Sequence, residues 1–254
     1  MSLPLGKKPA TKDDRDFRFS TFVDVERVLP KVPSTFGHER SGITWPMFGN
    51  DRWGCCVWTG AAHETRLYFA ARRMPIPPFR TEDVLADYSA GTGFDPSAGP
   101  PGRNPTDQGT NMREALNYRR HTGIRDATGA RHKIGAFMRI DEWQELLVAT
   151  YLFGAAAIGV EFTTGADRDF AERRTWYPHR GDEVLGGHYL PVVARRRQNR
   201  CVTWAQEVGM AKAYWDRYCD EAYAVLSEEY LTEGRTPEGF ERTQLLRVLS
   251  DLGA

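Results

Sequence analysis

The order in which two periodicities follow one another limits what this chain can fold into more than any other feature of its sequence. Helical spacing comes first. From Cys56 to about Arg72, Val57, Ala61, Tyr68 and Ala71 recur near one helical face, and Glu82 to Tyr88 fits a second, short helix. Thr110 and the residues after it form a polar-capped helix start that Gly123 closes, and Asp141 to Tyr151 repeats the logic with Asp141 as cap. The pattern then changes. Ala155 to Phe162 is apolar and partly β-branched, as a buried strand requires; Gly187 to Ala194 and Arg200 to Trp204 read as two more strands, joined by the polar turn Arg195 to Asn199. Met210 to Tyr218 is again helical, and Ala222 to Leu226 suits either a strand or the helix's continuation. Helices followed by a hairpin-bearing sheet predict an α+β protein rather than a βαβ alternation.

Around this body, residues 1–45 are rich in proline and charge, which predicts an extended arm pinned by Phe17, Phe19, Phe22 and Val23. The domain proper is expected over 46–230. Within 231–254, Thr236-Pro237-Glu238 starts a terminal helix to about Leu252. The 34 basic and 34 acidic residues cancel, so no net field would hold a nucleic acid. No signal-peptide stretch and no run of about 18 apolar residues is present, which predicts a cytoplasmic protein without membrane contact. Four cysteines, two of them adjacent, read as free thiols. They form no Cys-x₂₋₄-Cys pair for a metal, and Gly91-Thr-Gly93 lacks the rest of a phosphate-binding loop, so neither a metal nor a cofactor is expected.

The chemistry centres on Cys56. A thiol attacks as thiolate, and a helix N-terminus or a neighbouring imidazolium lowers its pKa. Cys56 meets the first condition by position. His188, after two glycines at the start of an apolar strand, is the best partner for the second. His38, His121, His132 and His179 read as surface or satisfied residues, and His63 lies two helical turns from Cys56, about 10 Å away.

These residues resemble the papain-like cysteine peptidases. In Asn50-Asp-Arg-Trp-Gly54-Cys55-Cys56 an amide residue stands six positions before the nucleophile and glycine two before it; Gly186-Gly187-His188-Tyr-Leu-Pro-Val-Val resembles the family's histidine strand, 132 residues further on. Lys12 to Phe19 is similar to the arm preceding the cysteine in bacterial members, and Thr106 to Leu116 to their substrate-side loop and following helix. The resemblance implies a helical subdomain, with the nucleophile at a helix N-terminus, packed on an antiparallel sheet or half-barrel. It implies a Cys56–His188 dyad that hydrolyses a peptide or amide bond through a thioester. Asn50 and the Cys56 N–H would form the oxyanion hole, and Gly109, Thr110, Tyr189 and Trp204 would line an open groove. Three positions differ. Asn50 stands where the family has glutamine, Cys55 where it has a small residue, and Val202-Thr203-Trp204 where an Asn-Ser-Trp-like stretch is usual. Thr203 is then the acceptor for the ring and Trp204 its shield, with Asn199 as an alternative acceptor.

A second reading keeps the fold as an inert scaffold. The arm would then drive assembly with further copies or into a larger particle, as in a phage virion or prophage component.

Overall fold

The structure, a computed structural model, describes residues 3–11, 13–231, 233–239, 241 and 243. Two short helices, α1 (Phe19–Phe22) and α2 (Val25–Val28), and strand β1 (Phe36–Gly37) precede helices α3 (Cys56–Ala71), α4 (Thr81–Thr92) and α5 (Met112–His121). Strands β2 (Ile124–Arg125), β3 (Arg131–His132) and β4 (Ala136–Arg139) lead to helix α6 (Trp143–Phe153), strand β5 (Ala156–Thr163) and helix α7 (Thr164–Ala171). Strands β6 (Val184–Arg195), β7 (Asn199–Thr203) and β8 (Gln206–Met210), helix α8 (Lys212–Tyr218) and strand β9 (Cys219–Leu226) follow. The main sheet is antiparallel, in the order β4-β9-β5-β6-β7-β8, with β1 added alongside β6. This is the expected α+β class.

Both faces of the sheet are covered, which explains why β5 reads as an apolar run from Ala156 to Val160 before the exposed Glu161. Successive side chains alternate between the faces. Ala157, Tyr189 and Tyr223 join Trp58, Tyr88 and Leu116 in a core shared with α3, α4 and α5. Ile158, Leu190 and Val192 join Leu146, Phe153 and Tyr214 in a second core under α6 and α8. Each such aliphatic or aromatic side chain contributes about 1.5–3 kcal/mol by leaving water. Phe19 and Val23 are buried in the second core, with Phe17 and Phe22 packed against it, so the arm is pinned where its aromatic residues suggest.

Several boundaries differ from the sequence reading. Strands begin before residue 155, because β4 pairs with β9 across Ala136 to Arg139. Gln206 to Met210 is strand β8, and α8 starts at Lys212 rather than at Met210. Ala222 to Leu226 belongs to strand β9, not to the helix. Helix α6 is not capped by Asp141. Its N-cap is Glu142, and the Glu145 carboxylate accepts the N–H groups of Asp141 (2.6 Å) and Glu142 (3.2 Å), while Asp141 pairs with Arg139 Nε at 2.8 Å. Most of the expected terminal helix, residues 240, 242 and 244–254, lies outside the described residues. Among the described residues no helix is long and apolar enough to cross a membrane.

Candidate active site

Cys56 is the first residue of α3, reached through a tight loop. Phe48 and Gly49 both take left-handed backbone (φ 50° and 84°), and the N–H groups of Arg52 and Trp53 close on the Gly49 carbonyl, each at 3.0 Å. The loop places Asn50 inside the protein, 2% exposed, and its Oδ1 has no hydrogen-bond partner among the described residues. Gly54 N–H donates to the Asp107 carboxylate (3.1 and 3.2 Å). Tyr88 also donates to Asp107 (2.7 Å), and its hydroxyl accepts Gly109 N–H at 3.0 Å. Asp107 and Tyr88 therefore tie the loop before Cys56 to the segment of Gly109 and Thr110. The sequence reading missed both as site residues. Asp107 is visible there only as part of the Thr106 to Leu116 resemblance, and Tyr88 only as a helix residue.

His188 enters from β6. Its Nε2 shares a 2.5 Å hydrogen bond with Thr203 Oγ1, and its ring stacks on Trp204 with centroids 4.0 Å apart and planes 13° from parallel. Trp204 and Ala205, both at positive φ (42° and 59°), form the turn between β7 and β8. Such a turn matches the twist of a two-residue hairpin but is unfavourable for a bulky side chain, which the stacking offsets. Thr203 thus binds the ring, with Trp204 covering the bond. Asn199 does not: it sits at the far end of β7, paired with Arg195 and Met210. The buried Nδ1 of His188 has no hydrogen-bond partner among the described residues.

Two of the expected substrate-lining residues face elsewhere. Strand alternation turns Tyr189 away from His188 and under α3, where its hydroxyl donates to Glu64. Its ring covers Gly60 so closely that a Cβ at that glycine would lie 2.1 Å away. Trp204 is 2% exposed and covers the imidazole, not a groove wall. Thr110 pairs with the arm through its backbone. Its hydroxyl accepts the Trp58 indole N–H (2.9 Å), which leaves its backbone groups to face the groove.

That groove is filled. The arm runs through it between its two walls. Lys7 N–H donates to Gly187 O (3.0 Å), Thr110 N–H donates to Gly6 O (2.7 Å), and Lys8 N–H donates to Thr110 O (2.9 Å). Gly6 crosses the loop before Cys56 in backbone contact: a Cβ there would lie 1.8 Å from Gly54 O. The expected open groove is closed by the chain itself, and Cys56 is 1% exposed and His188 0%.

Closure decides the electrostatics. Burial pushes the Cys56 thiol up to about 11, although backbone groups of Tyr189, Gly6 and Val57 and the Lys7 ammonium favour its anion. Burial alone pushes His188 down to about 3. Both groups are therefore neutral near pH 7, and the helix N-terminus does not by itself produce a thiolate here. The sign of the pH dependence follows from linkage. His188, lowered from 6.5, contributes stability that is present above pH 6.5 and is lost as pH falls toward 3. Cys56, raised from 9.0, contributes stability that is present below pH 9 and is lost as pH rises toward 11. Thermal unfolding across pH should accordingly give a plateau between these limits, with a falling acid limb that a His188→Phe variant flattens. An unchanged acid limb in that variant would contradict the assignment.

All four cysteines are free, and among the described residues no group of three or more His, Cys, Asp or Glu could hold a metal.

No protein-family model and no curated protein sequence matches this chain. Solved structures do. Xylellain, a cysteine protease from Xylella fastidiosa, aligns with a TM-score of 0.68 at 14% identity, over 89% of this chain and 97% of its own. The proCathepsin B S9 of Trypanosoma congolense aligns at 0.55 and 11% identity, over 89% of this chain and 87% of that one. The Carica candamarcensis cysteine protease CMS1MS2 aligns at 0.51 and 12% identity, over 77% and 99%. With the α+β order of elements and the antiparallel sheet, these likenesses establish that the chain has the papain-like cysteine protease fold.

Proposed function

We propose that the protein is a papain-like cysteine peptidase or amidase held closed by its own arm. The observation that carries this reading is the arm itself. An extended peptide lies across Cys56 with its backbone bonded to Thr110 on one side and Gly187 on the other, so the groove has the shape and hydrogen-bonding groups to hold a peptide substrate. With Nε2–H donated to Thr203, the lone pair of His188 sits on Nδ1, the nitrogen left for the thiol. Cys56 attacks the carbonyl and His188 takes its proton. The imidazolium returns that proton to the leaving amine, and water then hydrolyses the thioester. Cys56 N–H and the Asn50 side chain stabilise the oxyanion; loss of one such donor costs about 10²–10³ in rate.

Burial of both groups also favours the scaffold reading, in which the thiol never reacts and the arm serves assembly. A thiol-reactive peptide electrophile, followed by mass spectrometry across pH, separates the two. The peptidase reading expects Cys56 to be modified preferentially once the arm is displaced, with a response below pH 7 that His188→Ala abolishes. If Cys56 reacts no faster than Cys219 under those conditions, the scaffold reading stands.

A further inference from the structure

Residues 93–109, which join α4 to α5, are braced from within. Asn104 Nδ2 donates to the carbonyls of Asp95 (2.7 Å) and Gly99 (3.2 Å), and Asp95 N–H donates to Thr106 Oγ1 at 2.9 Å. Phe94, near the start of the segment, stacks on Tyr88 with centroids 4.6 Å apart and meets the Trp53 ring edge-on at 5.0 Å. Asp107, near its end, is thereby held in a fixed place beside the loop before Cys56.

What Asp107 holds there is backbone. Gly54 N–H, two residues before Cys56, donates to both carboxylate oxygens (3.1 and 3.2 Å), and a Cβ at Gly54 would lie 3.1 Å from Asp107 Oδ1, so the carboxylate sits tightly against the chain. Gly54 is buried, and a buried N–H deprived of its acceptor is costly, so the loop would shift to find another. That loop runs from Asn50 to Cys56. It therefore carries both groups assigned above to the oxyanion. The Tyr88 hydroxyl extends the same contact to Gly109 N–H (3.0 Å).

We infer that Asp107 is a positioning residue for the oxyanion hole, and that Tyr88 positions the Gly109–Thr110 backbone that pairs with a peptide. This rests on the peptidase reading above. Misplacement of a catalytic group by about 1 Å can cost on the order of 10² in rate. The thiol itself is fixed by α3 and keeps its place. Loss of Asp107 thus slows addition to a carbonyl, which needs the oxyanion donors, and spares alkylation of the thiol, which needs none.

The test uses the full chain opened by Gly6→Ala. A peptide pool of known sequence is digested, and the peptide cleaved fastest then serves to measure kcat and KM; iodoacetamide labelling of Cys56 is timed on the same samples. Asp107→Ala is expected to lower kcat tenfold or more, with KM changed less than threefold and the labelling rate less than twofold. Asp107→Asn keeps one acceptor oxygen and should lose only about threefold in kcat, which preserves the test where the alanine variant folds poorly. Tyr88→Phe keeps the ring against Phe94 but frees Gly109 N–H, and should instead raise KM threefold or more. If Asp107→Ala leaves kcat within twofold of the opened parent, or lowers labelling in step with kcat, the inference is overturned while the peptidase reading stands. Absence of any Cys56-dependent cleavage by the opened parent overturns the peptidase reading, and the inference with it.

Discussion

Replacing Gly6 with alanine is expected to unseal Cys56 and raise its rate of alkylation by two orders of magnitude or more at pH 7. The reason is steric and local. The new Cβ would lie 1.8, 2.2 and 2.5 Å from the carbonyl oxygen, carbonyl carbon and Cα of Gly54. All three are backbone atoms in the loop before Cys56, so no side-chain rotation relieves the clash. The arm must lift, and its hydrogen bonds to Thr110 and Gly187 are lost with it. Removing the cover restores water to the thiol and the imidazole, which returns the Cys56 pKa toward 9.0 and that of His188 toward 6.5, since burial is the main cause of both shifts. Timed labelling with iodoacetamide, read by peptide mass spectrometry, measures the effect. Equal labelling of Cys56 in the parent and the variant would mean that the arm is not what seals the site.

The largest loss of stability is expected at the ion pair beneath Tyr189. Arg119 and Glu64 meet at 2.7 Å, with side chains 3% and 0% exposed, and the Tyr189 hydroxyl also donates to Glu64. Glu64 and Arg119 lie on α3 and α5, so this network fixes α3, which carries Cys56, against α5 and against β6, which carries His188. Arg119→Met keeps the stem but leaves the Glu64 carboxylate buried and uncompensated, at a cost of about 3–5 kcal/mol. For a domain of this size each kcal/mol lowers Tm by roughly 2–4 °C, so a fall of about 6–20 °C is expected by calorimetry. Glu64→Gln combined with Arg119→Met removes both charges and should recover part of the loss. A drop under about 2 °C for the single variant would show the pair to be dispensable.

How much of this was legible in the sequence depends on whether local pattern or distant pairing sets the structure. Helix α3 and strands β5, β6 and β7 were readable because each carries its own periodicity, and Cys56, His188 and Thr203 were singled out by the resemblance of the short motifs that carry them. Strand β4 was not, because four residues beside a polar loop acquire strand character only by pairing with β9. The division between α8 and β9 was hidden because no glycine or proline separates Tyr218 from Cys219. Tyr189 was assigned to the groove from its place next to His188, whereas the two-residue period of β6 turns its ring under α3. The sealing of the site was the least legible feature. Gly6 to Lys8 carry no periodicity, and their conformation comes from walls about 100 and 180 residues further along the chain. Lys7 reads as an ordinary surface charge until Asp220 and Glu221 are brought around it.

Hydrolysis by the opened chain tests whether a working Cys56–His188 site lies under the arm. Gly6→Ala protein incubated with a defined peptide pool at pH 7 should release new peptide ends at a rate well above that of the parent. Cys56→Ser or His188→Ala in the same background should remove that release. New ends that persist without Cys56, or none from the opened chain although its thiol now labels freely, would contradict the account.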